Sequence, residues 1–207
     1  MKYSLVMIPL VIFVRIFRLL YHRIVLPLKT RFFVLIWRMK CGKDVKFIGS
    51  TIIRAYERNA VEIGDRTVFL SALRGNLVGL SGPTIICVNR GGRLKIGSCS
   101  GFSSVVINAA HSIIIGDHVR VGGNVRIFDH DFHPLAWQDR RSPEKKERIR
   151  SREVIIEDDV FIGTNAIILK GTHIGARSIV AAGSVVFGLD VPPDSMVKGN
   201  PAVVIQK

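Results

Sequence analysis

The sequence FDHDFHPL, at residues 128–135, brings two histidines and two aspartates together within eight residues. A histidine titrates near neutral pH, so its imidazole can take a proton from a nucleophile and later return it to a leaving group. Such a base works best when a carboxylate fixes its tautomer and orientation. On an extended backbone, Asp129, Asp131 and His133 would share one face. The segment therefore has the residues for general acid–base catalysis, with either aspartate as the partner of a histidine.

A six-residue repeat flanks this segment on both sides. Isoleucine or valine recurs at every sixth residue, and the residue two positions earlier is small or β-branched. The repeat positions are Ile115, Val121, Ile127, Ile156, Ile162, Ile168, Ile174, Val180 and Val186. The positions two before them are Ile113, Val119, Val125, Val154, Val160, Ala166, Thr172, Ser178 and Ser184, and glycine follows the repeat position at Gly116, Gly122, Gly163 and Gly175.

A period of six favours strands over helices. On an α-helix six residues advance about 600°, so successive repeat positions would point in three directions and form no apolar stripe. On an extended chain an even step keeps them on one face. Short strands with glycine at the turns, three to a coil, would bury this column, so the sequence predicts an all-β, parallel β-helix. Coils of about 18 residues give about six or seven coils, and the phase of the repeat slips in the earlier ones.

The runs IGDHVRVGGNVRI and IIEDDVFIGTNAIILKGTHIGARSIVAAGSVV, with the closing VPPDSMVKGNPA, resemble the hexapeptide-repeat acyltransferases. The likeness covers about residues 45–205. FDHDFHPL followed by a polar segment is similar to maltose and galactoside O-acetyltransferases, and closer still to the O-acetyltransferases of capsule and lipopolysaccharide synthesis. The resemblance implies a left-handed β-helix, a homotrimer, acetyl-CoA as donor with no metal required, and active sites between neighbouring subunits.

The predicted organisation has three parts. Residues 1–44 form an apolar and basic α-helical segment, residues 45–190 form the β-helix with a loop excursion at 129–153, and residues 191–207 form a C-terminal tail.

The resemblance also implies a catalytic residue. The family's catalytic histidine stands before a proline at the start of the polar excursion, and the matching residue here is His133, before Pro134. It would take the proton of a sugar hydroxyl as that hydroxyl attacks the thioester, then protonate the departing thiolate. Asp129 or Asp131 would fix its tautomer. His130 is the next candidate for the base.

The donor site of the family carries over less completely. Many relatives have a Thr-Lys pair that contacts coenzyme A after the last coil, where this chain has Phe187 and Gly188, and a cation after GNPA, where it has Val203. The rest of the donor site is expected at backbone groups near Gly163, Ala181 and Ala182. Candidates for the missing cations are Lys170, Lys198 and Lys207.

The polar excursion is rich in cations. They are Arg140, Arg141, Lys145, Lys146, Arg148, Arg150 and Arg152. One interpretation is a solvated loop. The other is a flap over the acceptor, in which Trp137 stacks on a sugar ring while Arg140 and Arg141 contact phosphate.

The N-terminal segment carries much of the chain's formal net charge of +14, because residues 1–46 hold ten Lys or Arg and a single acid. Its uncharged stretch, Tyr3–Val14, is shorter than the about 20 residues that span a bilayer, and no small-residue cleavage motif of a signal peptide follows it. Arg15, Arg18 and His22 have the spacing of one helix face. We expect an interfacial helix that holds a cytoplasmic enzyme on the inner face of the cytoplasmic membrane; the alternative is a helical cap on the open end of the β-helix.

Composition excludes some partners and leaves several functions open. The basic residues interleave with long aliphatics, which favours an anionic membrane over nucleic acid. Cys41, Cys87 and Cys99 are widely spaced and form no CxxC pair, which favours a reducing compartment.

The leading prediction is acetyl-CoA-dependent O-acetylation of a saccharide that belongs to a surface polysaccharide. Three alternatives stay open. They are an N-acyltransferase acting on amino-sugar nucleotides, a non-catalytic scaffold with a decayed donor site, and a hydratase resembling γ-carbonic anhydrases, whose metal would need His111, His118 and His130.

Overall fold

The computed structural model describes residues 12–17, 19–72, 76–142 and 146–206 of the 207-residue chain. Lys207, Lys145 and residues 3–11 of the uncharged N-terminal stretch lie outside the described residues.

Short strands wind into three parallel sheets, with successive strands generally on successive faces. The first face holds β1 (Lys40–Cys41), β4 (Val61–Ile63), β7 (Arg93–Ile96), β10 (Ser112–Ile115), β13 (Val154–Ile156), β16 (His173–Ile174) and β19 (Asp190–Val191). The second holds β2 (Lys46–Gly49), β5 (Val68–Ser71), β8 (Gly101–Ser103), β11 (Arg120–Gly123), β14 (Phe161–Ile162), β17 (Ile179–Val180), β20 (Ser195–Gly199) and β21 (Ala202–Gln206). The third holds β3 (Thr51–Ala55), β6 (Thr84–Val88), β9 (Val106–Ala109), β12 (Arg126–Phe128), β15 (Ile167–Ile168) and β18 (Val185–Val186).

These sheets confirm the predicted parallel β-helix. Within each face, strands three apart in the chain pair in parallel, as β10 does with β7 and β13. The seven strands of the first face correspond to seven coils in the described part of the chain, in agreement with the predicted six or seven. The antiparallel pair β20–β21 ends the stack.

The repeat positions form the inner column of the coils, as predicted. Ile156, Ile162 and Ile168 are completely buried, and Val121, the most accessible member of the column, is only 4% exposed. In the first coils phenylalanine takes this inner position, where Phe47, Phe69 and Phe102 stack with ring centroids 4.9 and 4.8 Å apart. The core is therefore one continuous apolar column along the axis.

Glycine after the repeat position lets neighbouring coils approach closely. A Cβ added at Gly163 would lie 2.5 Å from the backbone nitrogen of Ala182, and one at Gly175 would lie 2.5 Å from that of Pro193. Both distances are far inside van der Waals contact, so a side chain at either glycine would push two coils apart.

A helix covers the open N-terminal end of the column. A π-helical turn (Tyr21–Val25) leads into α1 (Leu26–Trp37). The ring of Phe33 meets Phe47 edge-on at 5.2 Å between centroids, and the Thr30 hydroxyl donates to the Val45 carbonyl at 3.0 Å. The inner face of α1 therefore caps the open end of the β-helix, which is the alternative to an interfacial helix named above. None of the helices in the described residues is long and apolar enough to cross a membrane.

Replacing Phe69 with alanine should lower the free energy of unfolding by about 3–5 kcal/mol, because it leaves a cavity between two stacked rings. Phe161 is 47% exposed on β14 and serves as the matched control; its alanine variant should change stability by less than about 1 kcal/mol. Chemical denaturation of both variants measures the difference, and equal losses would contradict the stacked column.

Candidate active site

The loop excursion leaves the β-helix after Phe128 and returns at Val154, and a short antiparallel bridge between His130 and Ser151 closes its base. The Asp131 amide donates to the Arg150 carbonyl at 2.9 Å, and the Arg152 amide donates to the Asp129 carbonyl at 2.8 Å. These two hydrogen bonds hold the backbone on both sides of His130 and so fix the position of its Cα atom.

A buried carboxylate orients the imidazole of His130. Asp129 is completely buried, and it accepts hydrogen bonds of 2.7 Å from the amides of Ala110 and His111 in the preceding coil. Its Oδ1 atom also lies 2.9 Å from Nδ1 of His130. Because an ionised carboxylate only accepts, the shared hydrogen belongs to Nδ1, and in the neutral form of such a ring the lone pair is on Nε2. Nε2 has no hydrogen-bond partner among the described residues.

Aromatic rings pack against the same imidazole. The ring centroids of His130 and Phe132 are 4.7 Å apart, and Phe132 meets Phe128 edge-on at 5.1 Å. His130 is only 8% exposed as a result. Asp129 and the two rings together restrain the orientation that a general base needs.

His130 lines a cleft of about 720 Å³ between the coils and the returning segment of the excursion. The cleft has the size of a small-molecule site. Its other lining residues are mostly polar or aromatic, and they are Tyr56, Asn89, Arg90, Asn108, Ala110, Phe132, Glu147, Ile149 and Ser151.

Two asparagines of this cleft were missed by the sequence reasoning. Asn108 pairs in register with Phe128 on β12, and the amide nitrogen of Asn89 lies 3.5 Å from the Asn108 side-chain oxygen. A polar residue on the outer face of a strand, close to the break in the repeat, is the sequence signal that could have identified them. The sequence does not allow that signal to be used, because the six-residue spacing is irregular before Ile113 and does not show which residues of the early coils point outward.

The predicted shared face of Asp129, Asp131 and His133 does not form, because the backbone bends at residues 129, 132 and 133 instead of staying extended. Asp129 binds His130, and Asp131 forms an ion pair with Lys170 of a later coil. His133 is exposed, lies outside the cleft lining, and has neither aspartate as a hydrogen-bond partner. The residues predicted together therefore lie in three environments.

The excursion residues predicted to contact the acceptor bind within the excursion itself. Trp137 begins the short helix α2 (Trp137–Arg140), and the Arg141 guanidinium covers its ring at 4.6 Å from the centroid. Arg140 donates to the Leu135 carbonyl at 2.6 Å. None of Trp137, Arg140 and Arg141 lines the cleft.

The predicted donor residues lie on one edge of the β-helix. Gly163 sits directly against Ala181 and Ala182 of the next coil, and Lys198 follows in the coil after that. The amides of Gly163 and Ala181 already donate to the carbonyls of Val180 and Val197 at 2.8 Å. The structure brings the four residues together. Because the amides of Gly163 and Ala181 are already bonded, a backbone amide that binds the coenzyme would have to come from another residue of this edge.

One lysine offered as a substitute cation is already engaged. Lys170 pairs with Asp131, and its ammonium lies 5.1 Å from the ring centroid of Phe187. Its side chain is 11% exposed. Phe187 and Val203, at the positions where relatives carry donor contacts, are each 57% exposed.

The remaining histidines are distributed over the coils. His111 and His118 are exposed, while His173 is half-buried and bridges Glu157 and Asp190 at 2.9 Å each. The hydrogen bond that His173 donates to the Glu157 carboxylate is the main cause of its raised pKa. In the part of the chain that the structure describes, no group of three or more His, Cys, Asp or Glu side chains is placed to hold a metal ion.

Comparison with known proteins finds similarity to transferases with hexapeptide repeats. The family described as "hexapeptide repeat of succinyl-transferase" matches residues 153–187. A 54-residue stretch, 26% of this chain, is 56% identical to 2,3,4,5-tetrahydropyridine-2,6-dicarboxylate N-acetyltransferase of Staphylococcus aureus. A hexapeptide-repeat acetyltransferase from Vibrio cholerae, solved with acetyl coenzyme A, superposes with a TM-score of 0.57 and 26% identity over 91% of this chain and 81% of that one. A maltose O-acetyltransferase from Clostridium difficile has a TM-score of 0.56 and 25% identity over 86% and 75% of the two chains.

The predicted resemblance to the hexapeptide-repeat acyltransferases is confirmed. The fold is their left-handed parallel β-helix. The chain spans 22% of the length of the Staphylococcus aureus relative, so that match concerns a part of each protein and not the whole of either.

Replacing Asp129 with asparagine should lower the free energy of unfolding by about 1–3 kcal/mol, because an amide cannot accept from two backbone amides and an imidazole at once. Asp158, an exposed turn residue that accepts from the Asp117 amide, is the matched control, and its asparagine variant should cost less than about 1 kcal/mol. Chemical denaturation tests the pair; an Asp129 variant as stable as wild type would contradict the described carboxylate environment.

Proposed function

We propose that this protein is an acetyl-CoA-dependent O-acetyltransferase that acts on a saccharide and uses His130 as its general base. The observation that carries the proposal is the Asp129–His130 pair, in which Nδ1 is bound to a buried carboxylate, the imidazole lines a polar cleft, and Nε2 has no hydrogen-bond partner in the part of the chain that the structure describes. The confirmed family resemblance supports the reaction class. The sequence predicted His133 as the base; it does not line this cleft and stays the second candidate.

In the proposed reaction Nε2 of His130 takes the proton of an acceptor hydroxyl while its oxygen attacks the thioester carbonyl of acetyl-CoA. The carbon–sulfur bond then breaks, and the same proton passes from the imidazolium to the departing thiolate. The Asp129 carboxylate stabilises the imidazolium between the two steps and holds the ring in one tautomer. Acetyl ester and coenzyme A thiol are the products, so atoms and protons balance.

The cleft suits a polar acceptor. Asn89 and Asn108 offer amide donors and acceptors on one wall, and Arg90 and Glu147 place opposite charges at its rim. Tyr56 adds an exposed aromatic ring on which a sugar can stack. That the saccharide belongs to a surface polysaccharide rests on the resemblance of FDHDFHPL to capsule and lipopolysaccharide enzymes.

The proposed donor site follows the edge formed by Gly163, Ala181, Ala182 and Lys198 of a neighbouring subunit, because none of these residues lines the cleft of their own chain. The acetyl coenzyme A in the Vibrio cholerae structure supports this donor. We also retain the predicted homotrimer. Its support is a row of outward side chains on the third face that is apolar except at one position, the sort of surface that a neighbouring subunit would cover: Ile52, Ile85, Val106, Arg126, Ile167 and Val185.

N-acylation is the second candidate, because the Staphylococcus aureus relative is named as an N-acetyltransferase. The same imidazole would accept a proton from an attacking amine. A panel that contains both amino sugars and neutral sugars separates the two reactions.

Replacing His130 with alanine should lower kcat by about 10²–10⁴-fold, the usual contribution of a general base. His133→Ala is the matched control and should stay within about tenfold of wild type, because its loss removes no proton acceptor from the cleft. Release of the coenzyme A thiol from acetyl-CoA, with the saccharide panel as acceptors, measures both rates. Acetyl content of the cell-surface polysaccharide in the two variant strains gives the corresponding result in cells.

A thermal shift with acetyl-CoA checks that each variant is folded and binds the donor. An inactive His133 variant beside an active His130 variant would return the role of base to His133. If acetyl-CoA does not raise the Tm of the wild-type protein, the non-catalytic scaffold becomes the better account.

A further inference from the structure

The helical segment that caps the β-helix exposes an unusually apolar outer surface. Between Ile12 and Ile36, thirteen large apolar side chains of the described residues are at least 47% exposed. On α1 the exposed residues Leu28, Phe32 and Leu35 follow each other at helical spacing, opposite the inner face that holds Phe33. Soluble surfaces rarely leave such a continuous apolar area facing water, so something covers it.

The charges on this segment are all of one sign. Residues 12–37 contain five Lys or Arg and no acid, and the first acid of the whole chain is Asp44. A second copy of the same surface would bring cations against cations, which opposes self-association. An anionic, apolar partner satisfies both properties, and the surface of an anionic lipid bilayer is such a partner.

A basic cavity lies beside this apolar surface, where α1 meets the first coil. It has a volume of about 570 Å³. Arg23 and Arg31 of the helical segment line it together with Lys43 and Lys46 of the first coil, and Asp44 is the one acid among its lining residues. Four cations against one carboxylate make the cavity suited to a phosphate group.

We propose that the exposed helical face docks on an anionic membrane and that this cavity receives a phospholipid phosphate. In this arrangement Phe32 and Leu35 enter the boundary between head groups and acyl chains. Arg23, Arg31, Lys43 and Lys46 then lie at the depth of the phosphates. The buried inner face of α1 stays on the β-helix, so docking requires no change in the cap.

The cavity and the cleft at His130 are separate features of the chain. The residues that line the cavity belong to the helical segment and to residues 42–46, and none of them lines the cleft. Membrane docking is therefore testable without any assumption about the acyl acceptor.

Co-sedimentation of the full-length protein with vesicles tests the proposal. We expect binding to phosphatidylcholine vesicles that contain phosphatidylglycerol, weaker binding to phosphatidylcholine alone, and a decrease with added salt. Neutralising two cavity cations in the Arg23→Gln/Arg31→Gln variant should lower the partition coefficient by about thirtyfold. The Phe32→Gln/Leu35→Gln variant should lower it by at least about tenfold through loss of apolar insertion.

Control variants remove the same number of charges, or one exposed apolar side chain, elsewhere. Arg58→Gln/Arg93→Gln takes two exposed cations from the coils, and Leu135→Gln takes an exposed leucine from the excursion; both should bind as wild type does. Equal binding to neutral and anionic vesicles, or equal loss in the controls, would overturn the proposal. If the wild-type cavity binds inorganic phosphate but the Arg23→Gln/Arg31→Gln variant still binds vesicles as wild type does, the proposal is also overturned, because the cavity would then serve a soluble anion.

Discussion

The parallel register between coils is the constraint on which the rest of this structure depends. Each inward side chain lies on its counterpart one coil away, as Ile115 lies between Ile96 and Ile156. The same register lets backbone amides of one coil donate to carbonyls of the next, so apolar burial and hydrogen bonding are satisfied by one arrangement. A shift by one residue would turn the whole column toward solvent.

The candidate site follows from this register. The chain leaves the stack after Phe128, but the coils on both sides stay paired, since Val154 lies opposite Ile113. The paired coils therefore place the Asp129 carboxylate within hydrogen-bond distance of the amides of Ala110 and His111 in the coil before it. The buried carboxylate then orients His130. An irregular segment thus acquires a fixed imidazole because its starting point is set by regular neighbours.

The sequence predicted the inner column because an even period of six keeps the repeat positions on one face of an extended chain. It did not predict which histidine is oriented, because the hydrogen bonds that decide this come from backbone amides 18 and 19 residues earlier. Asn89 and Asn108 were missed for the related reason that phase is lost in the early coils. The helical segment offered no contrast between faces, since α1 is apolar on the side that packs and on the side that is exposed.

The most direct test of the account is a structure of the protein with coenzyme A bound. The account predicts the thiol sulfur in the cleft, within about 3.5 Å of Nε2 of His130 or one water molecule away, with Asp129 still bound to Nδ1. A thiol placed beside His133, or on a surface remote from the cleft, would contradict it.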